Sequence, residues 1–151
     1  MNLEIKTAKQ KDLPWINGTY KTIDFLPSTL QDEIVAIAYA DGVKVGLGRI
    51  ALCGKDSCEL GGIYVHPDFR GKKIAKIIVE FLLKHAQNDV IYCIPFEHLS
   101  SFYESFGFTK AKNDLLVPMK IKKKLEFCKK TYSEPTLLLV MHKQNTFKII
   151  L

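Results

Sequence analysis

The chain has 151 residues, 47% apolar and 25% charged, which suits one globular domain with a sizeable core and excludes a disordered chain. The net charge is +6, and residues 110–130 carry the whole surplus, with eight lysines against Asp114 and Glu126. The start MNLEIKTAKQKDL is charged throughout and no stretch reaches the roughly eighteen apolar residues of a membrane span, so neither a signal peptide nor a membrane partner is expected and a cytoplasmic protein is.

Leu3-Glu4-Ile5-Lys6 alternates and predicts a first strand. Asp12-Leu13-Pro14-Trp15 starts a helix to about Thr22, with proline in its first turn. Phe25 to Leu30 breaks it as a short helix or loop. Glu33 to Tyr39 and Val43 to Leu52 form a hairpin about Asp41-Gly42, a pair that suits the positive φ angles of a tight turn. After Gly54-Lys55-Asp56-Ser57, a strand runs from Cys58 to Val65, completing an antiparallel meander.

A helix is predicted from about Lys72 to Ala86, because Ile74, Ile77, Ile78, Phe81 and Leu82 share a stripe. Val90 to Ile94 is a short buried strand, and the helical crossover before it implies a parallel pair. Glu97 to Glu104 is a short helix with Gly107 placed as its C-cap, and a weak strand follows Phe108. A lysine-rich helix at about 117–132 precedes a last strand, Leu137 to Met141, and residues 147–151 read as an added edge strand. The fold class is mixed α/β, antiparallel first and parallel in its centre, in a single domain over 1–151.

The four cysteines, Cys53, Cys58, Cys93 and Cys128, are not spaced for zinc or a dithiol pair, so free structural thiols and no metal are expected. The lysine-rich stretch reads either as a solvated helix face or as a basic patch for an anionic partner. No aromatic single-strand platform or helix-turn-helix pattern accompanies it, so nucleic acid is not the expected partner.

The stretch VHPDFRGKKIA, residues 65–75, has no evident side-chain cap at its helix start. A helix N-terminus holds unpaired N–H groups and partial positive charge, which an anion satisfies. Arg70, Lys72 and Lys73 surround that point and Gly71 lets a ligand come close, so phosphate is the candidate. The alternative is that Asp68 caps a helix starting one turn earlier. The stretch is neither a P-loop nor a dinucleotide-binding glycine motif.

Together, ELGGIYVHPDFRGKKIA (residues 59–75) and FYESFGF (residues 102–108) resemble the GNAT superfamily of acyl-CoA-dependent N-acetyltransferases. Val65, Pro67, Arg70, Gly71, Ile74 and Ala75 match its phosphate loop, and Phe102 to Phe108 match its second motif. Lys73 stands where the family has a second glycine, and Phe96 where it often has asparagine. The resemblance covers about residues 3–110, which makes the lysine-rich helix an insertion. It implies a splay between the fourth and fifth strands, acetyl-CoA as co-substrate and a primary amine as acceptor, a small molecule or a peptide. Backbone at Ile63, Tyr64 and Val65 would pair with the pantetheine arm. Amides and cations of Arg70, Gly71, Lys72, Lys73, Ile74 and Ala75 would hold the pyrophosphate, with Phe102 beside the cofactor. Tyr103 matches the acid that protonates the CoA thiolate, and Glu59 the base that deprotonates the amine, with His98 or water as other bases. Tyr20, Phe25 and residues 26–29 sit where this fold contacts the acceptor. The alternative function is a non-catalytic CoA-binding or nucleic-acid-binding module using residues 110–130. Edge strands near the C-terminus suit a homodimer.

Overall fold

Apolar strands punctuated by tight turns build the first half of the chain. The computed structural model describes residues 1–112 and 116–143; the edge strand expected at 147–151 lies outside them. Seven strands with flanking helices form a mixed α/β sheet fold. Two compact units are distinguished. The first comprises Met1–Ala51 and Leu60–Ala86, and the second Leu52–Glu59 with the chain from Gln87 onward.

In the first unit, β1 (Leu3–Thr7), β2 (Glu33–Ala40), β3 (Val43–Leu52) and the greater part of β4 (Ser57–Val65) lie in sequence order. The β2–β3 turn places Asp41 at φ 49° and Gly42 at φ 83°, as a two-residue primed turn requires. The hairpin register pairs Ile37 with Leu47 and Val35 with Arg49. Helix α1 (Leu13–Thr22) buries Ile16 and Tyr20 against Val35, Ile37 and Leu47. Helix α2 (Ile74–His85) buries Ile74, Ile78, Val79 and Leu82. It approaches the other face of β3 closely, since a Cβ at Gly48 would stand 2.8 Å from Ile78 Cγ2.

α2 starts two residues later than its composition predicts. Asp68 does not cap it. Instead, residues Pro67–Phe69 form a separate 3-10 turn, capped by His66 Nδ1 accepting from the Asp68 N–H at 3.1 Å.

In the second unit, β7 (Leu139–His142) lies between β5 (Val90–Cys93) and β6 (Thr109–Lys110), antiparallel to both. The helix expected over Glu97–Glu104 divides into a 3-10 turn, Glu97–Leu99, and helix α3 (Ser100–Glu104); its C-cap is Ser105 and not Gly107, which takes φ 108° two residues further on in the turn that follows. The lysine-rich helix is α4 (Met119–Thr131). It buries Ile121 among Cys53, Tyr92 and Val140. All four cysteines are free and buried. No helix among the described residues is long and apolar enough to cross a membrane.

Candidate active site

The end of β4 and the start of α2 make one corner of the first unit. It gathers Ile63, Tyr64, Val65, Arg70, Gly71, Lys72, Lys73, Ile74 and Ala75 along one continuous backbone. Inside β4, Gly62 takes φ 61°, a left-handed value that favours glycine. The Tyr20 hydroxyl donates to its carbonyl at 2.8 Å, fixing the strand where it departs from regular geometry. Burial pushes the Tyr20 phenol well above its ordinary value, against the opposing pull of the Arg49 guanidinium, so it stays a neutral donor.

Beyond β4, Arg70 Nε donates to the Val65 carbonyl at 3.0 Å and ties the loop back to the strand. Gly71 follows at φ 79°, with no atom within 4 Å of where a Cβ would stand. Its backbone conformation and not crowding calls for glycine. Lys73 is the N-cap residue of α2 at φ 63° and ψ 21°, and its side chain makes no capping hydrogen bond. The N–H groups of the first turn of α2 therefore face out of an exposed loop carrying Arg70, Lys72 and Lys73. That arrangement has the chemistry of a phosphate site: oriented amides, a helix N-terminus and cations.

Tyr103 and Glu59 belong to the second unit. Tyr103 is 6% exposed on α3, edge-on to Phe102 at 5.0 Å and to Phe108 at 6.4 Å. Its hydroxyl has no hydrogen-bond partner among the described residues. No fully buried side-chain oxygen there lacks one, so this hydroxyl opens onto solvent-accessible space. Burial pushes the phenol well above its ordinary value and the Cys93 thiol adds to the shift, so it stays protonated.

Glu59 has a partner that sequence reasoning missed. Lys124 of α4 forms an ion pair with it, with the two side chains 24% and 11% exposed respectively. Nothing local announces a pair 65 residues apart. His98 Nδ1 lies 3.2 Å from Glu134 on the surface of the same unit, so the alternative base has a carboxylate to orient it. Tyr20 and Phe25, expected on the acceptor side, pack together at 5.9 Å, and Asn17 clamps Ser28 through both its backbone N–H and its carbonyl.

A family model for the acetyltransferase (GNAT) domain matches residues 31–110, more than half of the chain. No curated protein matches by sequence. Among solved structures, the N-acetylglutamate synthase of Neisseria gonorrhoeae, complexed with coenzyme A and N-acetyl-glutamate, is similar at 15% identity and TM-score 0.74. That match covers 96% of this chain but only 36% of the synthase. A Mycobacterium tuberculosis protein in complex with CoA is similar at 20% identity and TM-score 0.73, over 92% of this chain and 98% of that one. The ribosomal-protein-S18-alanine N-acetyltransferase of Escherichia coli is similar at 14% identity and TM-score 0.70, over 95% and 96% of the two chains. The chain belongs to the GNAT acetyltransferase family.

Proposed function

We propose that the protein transfers the acetyl group of acetyl-CoA to a primary amine by direct attack, as one N-acetyltransferase domain. The observation that carries this is the start of α2: a left-handed N-cap without a side-chain acceptor, next to Gly71 and three cations. Amides of Gly71 to Ala75 receive the pyrophosphate oxygens, and Arg70, Lys72 and Lys73 add charge. Backbone groups of Ile63, Tyr64 and Val65 align the pantetheine arm as an extra strand, and an amide there polarises the thioester carbonyl. Phe102 borders the cofactor.

The amine nitrogen forms a bond to the acetyl carbon as the carbon–sulfur bond breaks. The amine gives up one proton and the departing thiolate gains one, so the reaction is balanced without another reagent. Tyr103 is assigned to the departing thiolate on the strength of its motif. A free phenol titrates near 10 and a thiol near 8.5, so full transfer is uphill even before burial raises the phenol further. Tyr103 thus acts chiefly by donating a hydrogen bond to the developing thiolate, which takes its proton in the end from the protonated base or from solvent. Glu59 takes the amine proton, directly or through water, with Lys124 holding its carboxylate in place; His98 is the second candidate.

Calorimetric titration with acetyl-CoA, beside thiol-release assays with an amine panel, tests the reading. Wild type and Tyr103→Phe are expected to bind alike, with turnover of the variant lower by about 10²- to 10⁴-fold. Glu59→Gln and His98→Ala then assign the base by which of them abolishes the acidic limb of the pH profile, the fall in rate as the base is protonated. Absence of acetyl-CoA binding by wild type overturns the proposal.

A further inference from the structure

Arg49 interrupts an apolar stretch of β3 and is only 8% exposed. It lies on the α1 face of the sheet, where its cross-strand partner Val35 belongs to the core around Ile16, Tyr20 and Leu47. Its guanidinium carbon stands 4.6 Å from the Tyr20 ring centroid. Its Nε lies 3.1 Å from the point a Cβ on Gly62 would occupy, so the guanidinium rests against the irregular backbone of β4.

A cation so deeply placed calls for an anion. The acid best placed to serve, Glu33, two residues from Val35 on the same face of β2, is turned elsewhere. Its carboxylate accepts from the Ser28 hydroxyl and from the Leu30 N–H, the latter at 3.0 Å. Among the described residues Arg49 has no ion pair and no hydrogen bond, and the Tyr20 ring is its cation–π partner. No fully buried side-chain nitrogen there lacks a partner, so the guanidinium nitrogens touch solvent-accessible space. The result is a rigid fork of unused N–H donors, held over Gly62 by an aromatic ring. Ile63, where the segment proposed for pantetheine begins, is one Cα step of about 3.8 Å beyond.

We propose that Arg49 binds a carboxylate of the acceptor, so that the substrates are amines with a carboxylate close to the nitrogen, amino acids above all. This rests on the N-acetyltransferase reading and names the acceptor class of that site. The planar guanidinium suits bidentate pairing with carboxylate. One guanidinium balances the single charge of a carboxylate and not the two of a phosphate monoester.

The test is turnover of matched acceptors by wild type: several α-amino acids, each beside its carboxamide and its decarboxylated amine, with 2-aminoethyl phosphate as a further arm. The acids are expected to exceed their carboxamides in kcat/KM by about 10- to 100-fold, the worth of hydrogen bonds to a charged group. Arg49→Gln is expected to erase that preference through the acceptor KM while acetyl-CoA affinity holds, and Arg49→Lys to restore part of it. If both variants fail to fold, wild-type binding of N-acetyl amino acids against their carboxamides decides without turnover. Preference for carboxamides, decarboxylated amines or the phosphate overturns the proposal. So does a preference for acids that survives Arg49→Gln. Wild type that binds acetyl-CoA yet ignores the carboxylate refutes only the role of Arg49; wild type that does not bind acetyl-CoA refutes the enzymatic reading itself.

Discussion

Replacing Lys73 with glycine is expected to stabilise the protein. Lys73 holds φ 63° at the N-cap of α2. Left-handed backbone costs an L-residue roughly 1–2 kcal/mol, because Cβ crowds the following carbonyl. Glycine escapes that strain but loses about 0.5–1 kcal/mol more conformational entropy on folding. The balance favours Lys73→Gly by about 0.5–1 kcal/mol, or roughly 1–4 °C in Tm for a chain of this size. Gly71→Ala is the opposite case. No atom lies within 4 Å of the added methyl, so crowding contributes nothing and the left-handed strain alone remains. It is expected to lower stability by about 1 kcal/mol. Lys73→Ala separates charge from backbone, for it removes the ammonium and keeps the Cβ. Urea and thermal unfolding of the three variants check the order: Lys73→Gly above wild type, Lys73→Ala near it, Gly71→Ala below. Acetyl-CoA titration adds a second axis, since Lys73→Gly and Lys73→Ala lose the same cation and should weaken binding equally. If Lys73→Gly melts below Lys73→Ala, the left-handed reading of this loop is wrong.

Four other outcomes are expected. Tyr20→Phe removes the hydroxyl that holds the Gly62 carbonyl and should cost about 1 kcal/mol in urea unfolding. Gly48→Ala forces a methyl to within 2.5 Å of Ile63 Cδ1 and 2.8 Å of Ile78 Cγ2, and such overpacking typically costs about 1–3 kcal/mol, read as a lowered Tm. Lys124→Ala strands the Glu59 carboxylate and should cost about 2 kcal/mol, less than for a fully buried pair because Lys124 is part exposed; adding Glu59→Gln should recover most of the loss. The Lys9 backbone N–H holds the Asp12 carboxyl below its usual value, burial opposes, and Lys44 at 3.0 Å lowers it further. With the folded value below the unfolded one, this stabilisation is complete above the ordinary carboxylate range near 4 and is lost as pH falls through the folded value. Unfolding from pH 7 down to 2 should therefore weaken wild type more than Asp12→Asn, and parallel curves would refute the assignment.

What the sequence reveals follows the range of the forces involved. The Asp41-Gly42 turn and the α2 stripe depend on neighbours in the chain: the turn appears where the pattern puts it, and the stripe keeps Ile74, Ile78 and Leu82 but buries Val79 more deeply than Ile77 or Phe81, while Gly107 takes its positive φ two residues past the true C-cap, Ser105. The first residue of α2 is misplaced because Lys72 and Lys73 are good helix formers by composition, whereas the left-handed turn at Gly71 and Lys73 leaves no periodic trace. The loop proposed to hold phosphate and the Tyr103 segment were legible as motifs, since their residues are consecutive in the chain. Partners across distance were not.

Charge shows the difference most clearly. The lysine surplus of residues 110–130 draws attention in the sequence, yet three of those lysines are taken up by the protein itself, Lys129 by Glu126 one turn away at 3.9 Å. Lys124 pairs with Glu59, and Lys120 donates to the Leu52 carbonyl at 3.0 Å. Arg49 adds one cation in the middle of a strand and draws none. In the folded chain it lies almost wholly within the first unit, without an anion among the described residues. A count of charges speaks to solubility and long-range attraction. Recognition depends instead on which charge folding leaves unpaired in a largely buried place, where interactions are less screened than on an open surface. By that criterion the proposal for the acceptor rests on the single arginine of β3 and not on the eight lysines before the last strand.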